Sequence, residues 1–507
     1  MFLKEKFDGN NVFKKLKSRL VADGSTQDRT LYNNLSSPTA KLDSIFIVLE
    51  KCVRRRMKWG KMDIGGAYLN AVLYGKKGDG IIIMIISKYL TNILVKNLPE
   101  LKEYVDEKTG TLWVQILKAM YGLVQSAALW FEVLSKYLKS LGFVPNPHDE
   151  CVLMRNENGK QTIIILYVDD ILIVADDAKM VDWLHEKLEE EYETVEIDKG
   201  DSFTYLGMVT SREKDATITV SMGGYTSNVI NDYEVFYKVK EVTTPATLDL
   251  FVIGEGDKLL PEKEAKVFHT FVARLLYLCK RARPDVQLAV LFLCTRVKAP
   301  TVVDKRKLDR VIGFLKRTMA RKRRICGKGD WSRLRGYIDS AFSAHDDGSS
   351  HTGMVVMWGD SCIMTICKKQ KISTKDSTES ELVGISDSYE KLEWANDFIE
   401  GLGEKLKEPI VFQDNMSTIT LIMSVPPRRL RNKHLTARNA CLHEAIVKNK
   451  EALLLHKQTK LMIADPFTKP LQGEGFHLLM AVVMGWLSCE KLEQIIDARN
   501  KGVRCKK

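Results

Sequence analysis

Hydrophobic and polar positions follow several rhythms along the 507 residues, and each predicts a different element. From Thr162 to Val174 two β-branched runs flank Asp169-Asp170, the pattern of a short hairpin with two carboxylates at its tip. Met180 to Tyr192 is rich in Leu, Glu and Lys and reads as an amphipathic helix, with Glu189-Glu190-Glu191 on a solvated face. Another helix is expected around Leu129 to Leu141, ending at Gly142. The run Ile45-Phe46-Ile47-Val48-Leu49 fits a strand or a buried helix, because periodicity does not separate the two in so short a segment.

A turn and strand are expected over Asp201 to Thr210, and paired helices over Ala265 to Leu278 and Pro284 to Val297. The polar stretch Thr243-Thr244-Pro245 and the basic segment Lys316 to Lys328 read as boundaries. From Arg333 onward a new alternation of strand-like and helix-like segments predicts a separate α/β unit. There is no internal repeat, and the apolar run Ile81 to Ile86 is too short to span a bilayer, so no membrane partner is expected.

Composition narrows the picture only moderately. Hydrophobic residues make up 45% and charged residues 28%, as in globular domains, and the length suggests about three or four structural units. The net charge of +12 gathers in four clusters: Lys14, Lys15, Lys17 and Arg19; Lys51, Arg54, Arg55, Arg56, Lys58 and Lys61; Lys316, Arg317, Arg321, Lys322, Arg323 and Arg324; and Arg428, Arg429, Arg431 and Lys433. Singly each reads as a solvated face; together they suit a long polyanion. The ten cysteines form no C-x-x-C pair, which points away from zinc and disulfides and toward a reducing compartment.

The hairpin carries the most chemistry. Adjacent Asp residues in an apolar setting repel each other and lose hydration, a cost that a divalent cation offsets. A turn would also favour Asp for local hydrogen bonding, so support must come from elsewhere. It comes from Met62-Asp63-Ile64-Gly65-Gly66, where an Asp at a strand end meets a glycine turn and then Tyr68.

Tyr167-Val168-Asp169-Asp170 resembles the signature of reverse transcriptases, with Asp63 standing where their first catalytic Asp is found. More narrowly, Lys17-Ser18-Arg19-Leu20-Val21-Ala22, Ser37-Pro38-Thr39-Ala40-Lys41, Met62-Asp63-Ile64, Tyr121-Gly122-Leu123-Val124-Gln125 and Tyr205-Leu206-Gly207 occur in the order seen in copia-type LTR retrotransposons. The resemblance implies an α+β right-hand polymerase with fingers, palm and thumb, and two Mg²⁺ ions (Mn²⁺ as a substitute) held by Asp63, Asp169 and Asp170. It also implies that Lys17, Arg19, Tyr68, Gln125 and Tyr167 line the substrate site. Lys17 and Arg19 would meet the incoming deoxynucleoside triphosphate, Tyr68 would gate against a ribose 2′-hydroxyl, and Gln125 would lie beside template and nucleotide. Asp23, where relatives carry a basic residue, and Gly65-Gly66, where many carry larger ones, depart from the pattern.

A second set follows: Tyr337-Ile338-Asp339-Ser340, Ser377-Thr378-Glu379-Ser380-Glu381-Leu382, Phe412-Gln413-Asp414-Asn415 and Ile463-Ala464-Asp465-Pro466. Each alone has a simple structural reading. In this order, with Lys368-Lys369-Gln370-Lys371, Lys433-His434 and Phe467-Thr468-Lys469-Pro470 around them, they resemble a copia-type RNase H. Asp339, Glu381, Asp414 and Asp465 would then hold two further Mg²⁺ ions and act on the RNA of an RNA/DNA hybrid. Glu381 is preferred over Glu379 because Glu381-Leu382 matches the family pattern.

The resemblance divides the chain into a reverse transcriptase at 1–245, beginning inside the fingers; a connection-like region at 246–330, containing Ala282-Arg283-Pro284-Asp285-Val286; an α/β RNase H-like domain at 331–475; and a C-terminal basic tail at 476–507. The partners expected are an RNA template, a DNA primer, the RNA/DNA hybrid and deoxynucleoside triphosphates. Expected surroundings are the cytoplasm, within a virus-like particle if the parent element is active, or the nucleus. With no Asp-Thr-Gly, Asp-Ser-Gly or zinc-knuckle motif, protease, integrase and capsid functions are expected outside this sequence. The competing reading is a decayed or host-adopted remnant that binds nucleic acid without polymerising.

Overall fold

The computed structural model describes residues 2–7, 13–32, 35–73, 81–254, 256–430 and 432–504. The chain forms two compact units: Met1–Ala40, Trp59–Pro145 and Glu150–Asp198 build the first, and Lys41–Lys58, Asn146–Asp149 and Lys199–Lys507 the second.

In the first unit the sheet runs in the order Val195–Asp198, Lys58–Ile64, Asp170–Ala175, Lys160–Tyr167, Asp149–Glu157 and Val144–Asn146. Its centre is the β-branched sequence expected to form a hairpin: Thr162 pairs with Ala175 through to Tyr167 with Asp170, and Ile163 to Ile165 and Ile171 to Val174 are buried. The helices Ser126–Ser140 and Ala178–Tyr192 fall where their patterns predict. Gly142 (φ +87°) follows the first of them in the left-handed conformation that ends helices. A smaller apolar cluster of Ala22, Ala71, Leu73, Ile116, Ala119, Met120 and Leu123 packs beside Tyr68 and Leu129. The strand Phe13–Arg19 pairs antiparallel with Phe2–Phe7; the side chains of Lys17 and Arg19 lie outside the described residues.

The second unit resolves the ambiguous apolar run as a helix, Leu42–Arg54, buried from Ser44 through Val53. A run buried on every side has no polar face to reveal a 3.6-residue period, which is why the sequence alone left two readings. This helix packs against the strands Arg323–Ile325 and Ser361–Lys369. Asp201 to Thr210 forms a hairpin rather than one strand, Ser202–Tyr205 with Met208–Arg212, because Leu206 (φ +50°) and Gly207 (φ +79°) reverse the chain. The helices Glu262–Arg281 and Gln287–Arg296 follow, the latter entered through a single turn at Pro284–Val286.

Parts of two basic clusters turn out to be structural. Within the segment Lys316 to Lys328, Arg323–Ile325 is a strand of a four-stranded antiparallel sheet. Buried Arg323 stacks 3.6 Å from the Phe46 ring, Arg324 pairs with Asp215, and Arg321 joins Arg283 on buried Asp285. From the second cluster, Lys51 and Arg54 both bind Glu404. Charge engaged within the fold, above all by buried Asp285, is less available to a polyanion. Arg431 lies outside the described residues.

The last sheet is five-stranded, in the order Ser361–Lys369, His351–Trp358, Leu334–Ala341, Ile410–Gln413 and Leu453–His456. Its first three strands pair antiparallel and the last two join in parallel, with the long helix Ser377–Gly401 against the central strand. Residues expected as a basic tail instead form the helices Gly473–Val483 and Cys489–Arg504. Phe476, Leu479, Met480, Val482, Val483, Leu492 and Ile496 are buried there, so apolar spacing outweighed the terminal charges.

Two candidate carboxylate centres

In the strand Lys58–Ile64, Met62 and Ile64 face the core, and the period of two turns Lys61 and Asp63 to the opposite face. The neighbouring hairpin carries Asp169 at its tip and Asp170 as the first residue of the returning strand. The Ile64 amide donates to the Asp169 carbonyl at 3.2 Å, tying this tip to the strand end that bears Asp63. Val168 occupies the left-handed region (φ +61°), a costly place for a β-branched residue. Buried Trp130 holds it there, its indole N–H donating to the Val168 carbonyl at 2.8 Å.

Lys61 Nζ lies 2.7 Å from Asp170 Oδ1, and the Tyr121 hydroxyl donates to Asp169 Oδ2 at 3.4 Å. Tyr68 meets Tyr121 edge-on with ring centroids 4.7 Å apart, so it joins the carboxylates through a second aromatic ring. Tyr167 is half-buried at the end of its strand, directly paired with Asp170. Gln125, 6% exposed, sits before the helix Ser126–Ser140 and accepts from Gln27 Nε2 at 3.3 Å. The two departures from the family pattern have local causes. Asp23 caps the turn Gly24–Thr26 through the Ser25 amide. A Cβ on Gly65 would come 2.9 Å from Thr194 Cγ2, where the Gly65 amide bonds the Thr194 carbonyl.

The second centre is denser. Parallel pairing sets Tyr337 opposite Phe412, so two residues further on Asp339 and Asp414 stand side by side. Pro466 opens the single turn Asp465–Phe467, which brings Asp465 to the same place. Ligand oxygens of Asp339, Asp414 and Asp465 all lie within 4.8 Å of one another, the one such trio among the described residues.

Glu381, 4% exposed, accepts from Gln413 Nε2 at 3.0 Å and is also hydrogen-bonded to the Ser340 backbone. Burial and then the neighbouring Asp339 push its carboxyl well above the usual range. The helix can come this close because residue 384 is glycine: a Cβ there would meet Ser340 Oγ at 2.2 Å. Glu379 instead turns back to accept from the Lys375 amide at 2.9 Å, serving the helix start capped by Asp376.

Burial, and after it Asp339, pushes the Asp465 carboxyl up to about 7. Lys469 Nζ reaches Asp339 Oδ1 at 3.1 Å and Asp465 Oδ1 at 3.3 Å, and the Thr468 hydroxyl donates to Asp339. Thr459 donates to Asp414 Oδ2 at 2.8 Å, and Gln413 Oε1 accepts from the amides of Asp414 and Asn415. Lys61, Trp130, Gln413, Thr459 and Lys469 were not singled out by sequence reasoning. Three of them had a signal: Lys61 in a basic cluster, Gln413 within Phe412-Gln413-Asp414-Asn415 and Lys469 within Phe467-Thr468-Lys469-Pro470.

Residues 2–247 match the family described as "Reverse transcriptase (RNA-dependent DNA polymerase)", and this region belongs to that family. The relatives that the chain matches are Pol polyproteins of copia-type transposons from plants and yeast. It is 26% identical over 477 residues to the "Retrovirus-related Pol polyprotein from transposon RE1" of Arabidopsis thaliana, covering 93% of this chain and 30% of the relative. It is 25% identical over 488 residues to the corresponding polyprotein from transposon TNT 1-94 of Nicotiana tabacum, covering 95% and 35%. The chain thus spans about a third of the length of the curated relatives it matches. A solved foamy viral protease-reverse transcriptase in complex with RNA/DNA hybrid overlays 83% of this chain and 46% of that one at 12% identity, with a TM-score of 0.47, too loose for residue correspondences. The mixed α/β architecture accords with the expected fold class: the six-stranded sheet that bears Asp63 and Asp169-Asp170 lies within the matched region, and a five-stranded mixed sheet with its long helix follows.

Proposed function

We propose that this reverse transcriptase copies RNA into DNA and cleaves the RNA strand of the resulting hybrid, each by phosphoryl transfer at its own carboxylate centre. The observation that carries the polymerase reading is Asp63 and Asp169-Asp170 on bonded strands of one sheet, within the region that belongs to the reverse transcriptase family. In this reading 1–245 is the polymerase, 246–330 its connection and 331–475 the RNase H domain, with 476–507 closing the chain.

The donor sets fit hard divalent cations such as Mg²⁺, which take carboxylate oxygens; Asp339, Asp414 and Asp465 already converge, with Glu381 beside them. When bound, the ions supply Lewis acidity toward phosphate oxygens and an activated hydroxyl or water. The chain's own residues do the positioning. Trp130 and the Ile64 amide fix the tip that bears Asp169, and Gln413 and Thr459 fix Glu381 and Asp414. Tyr68 stands ready to exclude a ribose 2′-hydroxyl, and Lys17, Arg19, Gln125 and Tyr167 to meet triphosphate, template and primer. The test is primer extension on an RNA template with purified protein and Mg²⁺. Asp169→Asn removes one ligand charge with little change of shape and should cost roughly a hundredfold or more in rate. Full synthesis by that variant would sink the assignment.

A further inference from the structure

The charge balance of the second centre depends on Lys469. Asp339, Glu381 and Asp465 are each no more than 5% exposed, and Asp414 completes the group. Carboxylates gathered this closely in a poorly hydrated place repel one another, so the cluster needs a positive charge of the protein's own when no divalent ion is bound. Lys469 supplies one, contacting Asp339 and Asp465 at once. It starts four residues after Asp465, where its amide bonds the Asp465 carbonyl at 2.8 Å. Its side chain is 38% exposed, so the ammonium has a way out to water along a flexible stem.

We propose that Lys469 is an exchangeable counter-ion. Its ammonium neutralises the Asp339–Asp465 pair in the metal-free protein and withdraws from both carboxylates when a divalent cation enters. The inference rests on the reading of this centre as a metal site. It differs from a fixed salt bridge in one respect: lysine and divalent ion compete for the same oxygens. Lys469 therefore weakens metal binding while protecting the empty site, which keeps the domain folded when metal is scarce.

The test uses the full chain, with Mn²⁺ as the probe, in titration calorimetry at pH 7.5 and in thermal unfolding with EDTA or saturating Mn²⁺. Asp414→Asn identifies the heat that belongs to this centre. Lys469→Met keeps the apolar stem and removes the charge; it is expected to bind Mn²⁺ about tenfold more tightly here. Its melting temperature should fall several degrees in EDTA and return to the wild-type value in saturating Mn²⁺. Lys469→Arg should retain the wild-type melting temperature in EDTA and show no tightening. Unchanged or weaker Mn²⁺ binding by Lys469→Met, or an equal loss of melting temperature with and without Mn²⁺, marks a fixed structural bridge and overturns the proposal while the metal site stands. If wild type and Asp414→Asn bind Mn²⁺ identically, the metal-site reading fails and the proposal with it.

Discussion

Single residues decide what these centres discriminate. Tyr68 is half-buried against the Ala71–Leu73 cluster and leans edge-on against Tyr121, which in turn donates to Asp169. On the proposed function a ring held from two sides would not yield to a bulkier sugar, so Tyr68→Ala should raise ribonucleotide incorporation relative to deoxynucleotide by about tenfold. Unchanged discrimination would leave Tyr68 as a core residue only.

A different residue-scale property is the buried chain in which His345 Nε2 meets His351 Nδ1 at 3.0 Å and His351 Nε2 meets Cys367 Sγ at 3.1 Å. Desolvation lowers the imidazoles to about 4 and about 3, from 6.5. A depressed pKa favours the neutral form on folding, so the stabilisation is full above pH 6.5 and drains away as pH falls toward 4. Thermal unfolding between pH 7 and 4 should show this slope, and His351→Gln should flatten it. Asp63, Asp169 and Asp170 were legible because carboxylates among apolar residues stand out locally. Trp130 was not, because its partner lies 38 residues away, and the tie between Lys469 and Asp339 was not, because it spans 130.

At the scale of elements, two β-branched runs around a polar tip foretold the central hairpin, and periodicity foretold the helix Ala178–Tyr192, with Val181, Leu184, Leu188 and Tyr192 buried on one face. It left two readings where a short run is buried throughout, as at Ile45 to Leu49 within Leu42–Arg54. The hairpin tip is an element under tension, with Val168 held in a left-handed conformation by the Trp130 indole. Trp130→Phe keeps the ring and removes the donor. It should cost about 1 kcal/mol in chemical denaturation, yet lower primer extension several-fold through misplacement of Asp169. A loss of stability with full activity would show that the tip needs no such brace.

For the whole molecule the central expectation is that the two chemistries are separable. Each centre draws on its own carboxylates: Asp63, Asp169 and Asp170 in the first unit, Asp339, Glu381, Asp414 and Asp465 in the second. Asp414→Asn should abolish degradation of RNA in an RNA/DNA hybrid and preserve DNA synthesis, and Asp169→Asn the reverse. Both are measured on one substrate, labelled RNA annealed to a DNA primer, by following RNA length and primer length separately. Hybrid cleavage by Asp414→Asn, free of contaminating nuclease, would reduce the second centre to a binding module.

The helix Leu42–Arg54 adds a constraint on how such a chain is made. It belongs by sequence to the polymerase region, yet it packs against Arg323–Ile325 and Ser361–Lys369. It carries a buried Glu50 bonded to the Trp331 indole and a buried Lys51 bonded to Glu404. During synthesis this oily segment leaves the ribosome long before the strands that shelter it exist. This helix therefore completes its packing only once the segments that carry Arg323–Ile325 and Ser361–Lys369 have been translated. Proteolytic trimming that parted the two regions would expose that surface again, so they are bound to a common fate after translation as well.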